Sequence, residues 1–256
     1  MIYDCFLFYD ELELLELRLN HLNSIVDRFV IVESNKTFSL KDKPLFFSEN
    51  RERFSKFREK IILVVVDDFL SSNAWENETL QRNRILQGLE NCSDDDLIMI
   101  SDCDEIPRVE SIRRFVDGYS LVGLQQTTYY YRFNGQTNIA WCGSKLLRYR
   151  ALRERITPQQ VRDKYCGTPD ALMIFGGGWH FSFLGSSEKI ALKIQAFSHQ
   201  ELNKPEYVEK EKIERRMKEA KDLFDRSENI IEYIPLNSSF PPYLLENLSR
   251  FRHLIH

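Results

Sequence analysis

The sequence predicts an α/β fold: a parallel, Rossmann-like sheet in the first hundred residues, followed by a smaller and more β-rich region. Three observations carry this. Short apolar runs at residues 2–9, 27–33, 61–66 and 97–101 alternate with segments of helical spacing, the pattern of right-handed βαβ units. The run Ile61-Ile62-Leu63-Val64-Val65-Val66 is apolar and mostly β-branched, as a strand buried on both faces must be. Three of the runs lead into an acid, Glu33, Asp67 and Asp104. Polar groups therefore collect at the carboxyl ends of parallel strands, where open α/β sheets bind ligands.

Each element follows from its spacing. Residues 11–23 place Leu12, Leu15, Leu19 and Leu22 on one helical face. Residues 54–60 and 75–90 read as two further helices between strands. After residue 107 the pattern changes: 108–117 is a helix candidate, and the threonine- and tyrosine-rich 121–133 reads as a strand or hairpin arm. Residues 141–149 form a second β-rich stretch. Residues 170–185 hold Gly176-Gly177-Gly178 among aromatic residues and read as a glycine-rich loop able to close over a ligand. Ser186 or Ser187 opens a helix to residue 199. Residues 205–226 form a charged amphipathic helix, and 243–254 a last short one. With no repeat and no low-complexity linker, a single domain is expected over 1–256, with 1–107 a nucleotide-binding half and 108–256 an acceptor half.

Composition narrows the class. The chain has 256 residues, is 43% hydrophobic and carries a net charge of −4, enough apolar content for a core and no basic face for nucleic acid. Its five cysteines lack Cys-x-x-Cys spacing, so neither a disulfide framework nor a zinc site is readable and a reducing compartment is expected. The amino terminus has no basic leader, and no run approaches the ~20 apolar residues of a membrane span. The Asn-x-Ser/Thr matches at Asn35, Asn77, Asn91, Asn237 and Asn247 are read as coincidence.

The most informative segment is Leu97-Ile98-Met99-Ile100-Ser101-Asp102-Cys103-Asp104-Glu105-Ile106-Pro107. An apolar strand ends in two aspartates spaced i, i+2, and a proline stops the strand. If the extended geometry continues, Asp102 and Asp104 point to one side and Cys103 to the other. Two hard oxygen ligands suit Mg²⁺ or Mn²⁺, which would in turn hold a diphosphate. Arg82, on the helix before this strand, is a phosphate candidate. His180, beside the three glycines, could be a third metal ligand or bind phosphate, with His199 a competitor. Lys189 and Lys193 could neutralise a diphosphate. Tyr129 to Phe133, Trp141, Trp179, Phe181 and Phe183 offer rings on which sugars stack.

Taken together, ELELLELRLN at 11–20, FVIVESNKTF at 29–38, KPL at 43–45, WENETLQRN at 75–83, ISDCDEIP at 100–107, GGWHFSFLG at 177–185, KIQAFSHQE at 193–201 and KDLFDR at 221–226 resemble the family 17 glycosyltransferases. This is the family of the β-1,4-mannosyl-glycoprotein N-acetylglucosaminyltransferases. The resemblance implies a GT-A-type fold, a UDP-sugar donor (UDP-GlcNAc above all), a divalent Mn²⁺ or Mg²⁺, a glycan acceptor and inversion at the anomeric carbon. It would make Asp104 a metal ligand and bring Asp102 to ribose or metal-bound water, with Glu33 on uridine and Arg82 and Lys193 on phosphate. Inversion needs a carboxylate base, for which Asp170, Glu188 and then Glu105 are the candidates. Animal members carry an amino-terminal anchor, whereas this chain begins at its first strand, so a soluble, cytoplasmic bacterial or viral relative is expected.

Two other readings remain. A sugar-phosphate nucleotidyltransferase would carry a glycine-rich basic loop after its first strand, where this chain has Tyr9-Asp10-Glu11-Leu12. A catalytically inactive carbohydrate-binding protein would keep sugar binding after loss of Asp104.

Overall fold

The computed structural model describes residues 1–69 and 71–256. Strands β1 (Ile2–Phe8), β2 (Arg28–Ser34), β3 (Ile61–Val66) and β4 (Leu97–Asp102) pair in parallel in the order β3-β2-β1-β4. Helix α1 (Leu12–Leu22) connects β1 to β2; α2 (Phe46–Glu49) and a 3-10 segment, Arg51–Lys60, connect β2 to β3. Helix α3 (Ala74–Asn83) lies between β3 and β4. The register sets Leu7 beside Asp102 and Phe8 beside Glu33, so the acidic strand ends form one edge. Both faces of β1 are buried: Phe6 and Phe8 pack with Leu15 and Leu19, while Cys5 packs with Val30, Ile85 and Ile98 on the other side. Residues such as these, with no exposed face, explain the unbroken apolar runs of β1, β2 and β4, but β3 was expected to be buried on both faces and is not: it lies at the sheet edge, with Val65 43% exposed.

The sheet continues without a break. After β5 (Glu105–Pro107) and α4 (Val109–Arg113), β6 (Leu121–Tyr130) and β7 (Gly135–Arg148) form a hairpin whose second arm pairs antiparallel with β4. Helices α5 (Tyr149–Glu154) and α6 (Pro158–Asp163) follow, and β8 (Ala171–Ser182) then lies between β6 and β5. Next come α7 (Ser187–Ala196), α8 (Pro205–Val208) and α9 (Lys210–Lys218), with β9 (Ile231–Tyr233) pairing with β7. The chain closes with α10 (Pro242–Glu246) and α11 (Leu248–Phe251) packed near α1. Among the described residues no helix is long and apolar enough to cross a membrane.

Several expectations are corrected. The three glycines lie within β8, not in a loop, so no lid can be built from them. Gly177 packs so closely on Leu124 that a Cβ would overlap it, and Gly178 has φ +156, where its added Cβ would meet the Ile106 carbonyl. The glycines thus form a bulge in β8, where the register jumps from Leu124–Ile174 to Gln126–Gly178 and β8 carries the extra residues. The helix expected over 75–90 stops at Asn83 and tightens to 3-10 turns over Arg84–Leu89. The helix expected over 205–226 ends at Lys218, and Ala220 takes φ +51. Helices α5 and α6 were not foreseen, although Thr157-Pro158-x-Gln160 forms a capping box with proline at the first turn.

Candidate active site

A cavity of about 800 Å³ opens at the carboxyl ends of β1 and β4, within the usual range for small-molecule sites. Its walls include Tyr9 and Glu11 after β1, Gln81 and Arg82 of α3, and Asp102 and Asp104 after β4. Trp141, Arg162, His180 and Lys193 complete them. Residues from both halves of the chain therefore meet there.

The two aspartates have different partners. Asp102 is clamped: Oδ1 accepts from Arg82 Nη1 at 2.7 Å and Oδ2 from Arg162 Nη2 at 2.6 Å. Burial opposes its ionisation, but the two guanidinium groups outweigh it and hold the carboxyl well below the usual range. Asp104 Oδ2 accepts from Lys193 Nζ at 2.9 Å, and Oδ1 faces His180 Nε2 at 3.8 Å. Lys193 also donates to Glu11 Oε1 at 3.1 Å. Burial alone would discharge Lys193, but Asp104 and Glu11 keep it charged.

The turn between these aspartates is fastened from below and from the side. Arg18, fully buried on α1, donates from Nη1 to the carbonyls of Asp102 (2.9 Å), Cys103 (3.3 Å) and Glu105 (2.8 Å). Its Nη2 reaches Ser101 Oγ at 2.5 Å and Asp4 Oδ1 at 2.6 Å. Glu105, also fully buried, accepts from the Asp102 N–H at 2.9 Å, from Arg162 Nη1 at 2.9 Å and from Trp141 Nε1 at 2.5 Å. Burial favours its neutral form, but Arg162 prevails and keeps it ionised.

Among the described residues, no three His, Cys, Asp or Glu side chains cluster into a metal cage. Mg²⁺ and Mn²⁺ sites that share phosphate ligands do not need one. Asp104 and His180 fit such an ion: both line the cavity wall, and His180 Nε2, the ring nitrogen that faces Asp104 Oδ1, accepts no hydrogen bond from the described residues that would compete for its lone pair. Asp102 does not fit as a direct ligand, because both its oxygens are taken by arginines.

The structure gathers Asp102, Asp104, His180, Arg82 and Lys193 of the expected residues, together with His199, whose ring packs against Trp75 at 4.4 Å. It does not gather the others. Glu33 is fully buried and caps α2, accepting from the Phe47 N–H at 2.7 Å, so it stands beneath the sheet edge and not in the cavity. Asp170 is exposed and paired with Lys164 at 2.8 Å. Glu188 is exposed and paired with Lys210 at 3.4 Å. Neither lines the cavity. Glu105 is adjacent, but its oxygens are engaged by three donor groups and are not free to take a proton. Lys189 pairs with Glu13 outside the cavity. Of the aromatic residues expected to stack on a sugar, Trp179 and Phe181 are core, and Trp141 and Phe183 reach the cavity. Arg162, Glu11, Lys43 and Trp75 were missed; only Arg162 had a local signal, the capping box that opens its helix.

The family model described as Glycosyltransferase family 17 matches residues 1–256. The chain is 26% identical to the beta-1,4-mannosyl-glycoprotein 4-beta-N-acetylglucosaminyltransferase of Rattus norvegicus, covering 96% of this chain and 52% of that protein. It is 26% identical to the protein of the same description in Homo sapiens, over 96% of this chain and 53% of the other. The chain thus spans about half the length of the curated relatives it matches. Among solved structures, HddC from Yersinia pseudotuberculosis matches at a TM-score of 0.41 and 9% identity, over 68% of this chain and 90% of that one. The inositol-1-phosphate CTP transferase from T. maritima matches at 0.38 and 11%, over 76% and 97%. At such scores the likeness is loose, and nothing about substrate is taken from it.

Proposed function

The chain belongs to glycosyltransferase family 17, and from that premise we propose that it is a metal-dependent inverting glycosyltransferase. In this reading it moves GlcNAc from UDP-GlcNAc to a hydroxyl of a glycan acceptor. The observation that carries the reading is Asp104 at the end of β4, 2.9 Å from Lys193 and 3.8 Å from His180, on a cavity of about 800 Å³. A carboxylate, a charged lysine and an imidazole nitrogen, Nε2, turned towards that carboxylate are what a metal-bound diphosphate needs around it.

In this mechanism Asp104 and His180 would hold the ion, which would supply a Lewis acid for the leaving diphosphate. Lys193 neutralises phosphate charge, and Glu11 keeps that lysine charged and in position. Arg82 and Arg162 form a second polar wall whose charge is balanced by Asp102, Glu78 and Glu105, so they orient the site and are not free counter-ions for phosphate. Because these groups are fixed before substrate arrives, little reorganisation is needed when charge develops on the leaving group. The transferred group, GlcNAc, follows the relatives, which are N-acetylglucosaminyltransferases.

The test is a thermal-shift and hydrolysis panel of UDP-, GDP- and CMP-sugars, each with and without Mn²⁺. Stabilisation by UDP-GlcNAc that requires the metal, with slow UDP release, is expected. In Asp104→Asn the metal-dependent shift should vanish while the melting temperature without ligand stays close to wild type. UDP affinity with Mn²⁺ unchanged in that variant would refute the metal assignment.

A further inference from the structure

Trp141 is unusual among the three tryptophans. Trp179 is buried in the core. Trp75 and Trp141 both line the cavity and are similarly exposed, 44% and 43%, but Trp75 turns its ring edge-on to His199, whereas Trp141, on β7, is tied to a buried carboxylate. It is nevertheless held still. Its Nε1–H donates to Glu105 Oε1, and Glu105 is itself gripped by Arg162 and by the Asp102 N–H. Turning the indole away would take a donor from a fully buried carboxylate, a cost of roughly 1–3 kcal/mol.

The surroundings add to this. Gly143, two residues further along β7, leaves the room Glu105 occupies, since any Cβ there would overlap the carboxylate. Arg162 stands 5.4 Å from the indole centroid, and the His180 ring lies 5.8 Å away, tilted by 34°. The ring therefore stands beside His180 and Asp104, with its orientation set by buried charge and much of its surface open. An exposed, immobilised aromatic surface inside a polar cavity is a stacking platform with little rotamer entropy left to lose on binding. Pyranose rings carry a face of C–H groups bearing slight positive charge, which complements the electron-rich face of an indole.

We propose that Trp141 is the stacking platform for a pyranose ring bound next to Asp104 and His180. This rests on the glycosyltransferase reading and adds a sugar subsite to it. The ring can belong to the donor sugar or to the acceptor, and binding to variants separates the two.

The experiment titrates wild type, Trp141→Phe and Trp141→Ala with UDP, UDP-GlcNAc and a β-mannosyl oligosaccharide, all with Mn²⁺, by calorimetry. Donor stacking is expected to weaken UDP-GlcNAc up to about tenfold in Trp141→Ala with UDP unchanged. Acceptor stacking weakens the oligosaccharide by a similar factor and leaves both nucleotides unchanged. In either case Trp141→Phe, which keeps a ring but loses the N–H, should retain most of the affinity. Equal losses in the Phe and Ala variants would overturn the platform, because the bond to Glu105 would then be the whole effect. Unchanged binding of all three ligands in Trp141→Ala would overturn it as well. Wild-type protein that binds UDP but neither sugar also overturns the platform and leaves the nucleotide site standing. Wild-type protein that binds no nucleotide refutes the glycosyltransferase reading, and the platform with it.

Discussion

Arg18 and Asp4 form an ion pair with no solvent exposure at all, Nη2 to Oδ1 2.6 Å, directly beneath the Asp102–Asp104 turn. The pair joins α1 to β1, and the same guanidinium reaches three carbonyls of the turn. A charge buried this deeply is tolerated because every donor has a partner.

Arg18→Met alone would strand Asp4 as a buried charge and should cost about 3–5 kcal/mol of stability in urea unfolding. The double variant Asp4→Leu/Arg18→Met removes both charges and should recover most of that loss. It should still bind UDP with Mn²⁺ more weakly, because the turn has lost the donor that orients its carbonyls. Wild-type affinity in the double variant would mean that the pair serves the fold alone.

Asp102→Asn should behave unlike Asp104→Asn. It leaves Arg82 and Arg162 short of a counter-charge, so a stability loss of about 1–3 kcal/mol is expected. Mn²⁺ binding, followed by paramagnetic resonance, should persist because Asp104 and His180 are untouched. Loss of Mn²⁺ binding without loss of stability would reverse the two roles.

Gly143→Ala should disturb the site without touching any ligand. The added methyl overlaps the Glu105 carboxylate and the Arg162 guanidinium, and overpacking of this kind costs roughly 1–3 kcal/mol. Trp141 should lose its fixed orientation, which tryptophan fluorescence anisotropy reports. A variant with wild-type stability and anisotropy would show that the Glu105 pocket can relax.

Between pH 7 and 4, His21 and Asp10 shift stability in opposite directions. Burial, with Trp179 edge-on at 5.3 Å, pushes His21 down to about 4. The unfolded chain therefore takes up that proton first, and stability falls as pH drops from about 6.5 to 4. Burial, with Glu11 beside it, pushes Asp10 up to about 6. That carboxyl is protonated first in the folded state, so its contribution is lost as pH rises from about 4 to 6. The two offset each other in wild type. His21→Gln removes one, so relative to wild type the variant should gain on the order of 3 kcal/mol between pH 7 and 4. A constant difference across that range would mean that His21 does not titrate with folding.

Much of the fold was legible. The apolar runs ending at Glu33 and Asp102 became parallel strands because uninterrupted burial leaves no other use for such segments, and the β-branched run ending at Val66 joined them at the sheet edge. The Asp-x-Asp turn was legible as a site because acids directly after a buried strand have only the sheet edge to occupy. Gly176 to Gly178 misled, because glycine signals both loop freedom and close strand approach, and only the neighbour Leu124 distinguishes them. Glu33 misled in a similar way: a carboxylate at a strand end can face a ligand or cap a helix, and the amides of Phe47 and Ser48 claimed it.

The sequence by itself determined the parallel strands of the first hundred residues and the helices between them, that acids gather at one edge of that sheet, and the family to which the chain belongs. These follow from local periodicity and from the order of short motifs. The tertiary structure alone decided that Asp102 is neutralised by arginines 20 and 60 residues away in sequence, that Asp104 faces Lys193 and His180, and that Glu105 turns inward to hold Trp141. Electrostatic partnership depends on distance through space and on loss of water, and neither is encoded in spacing along the chain.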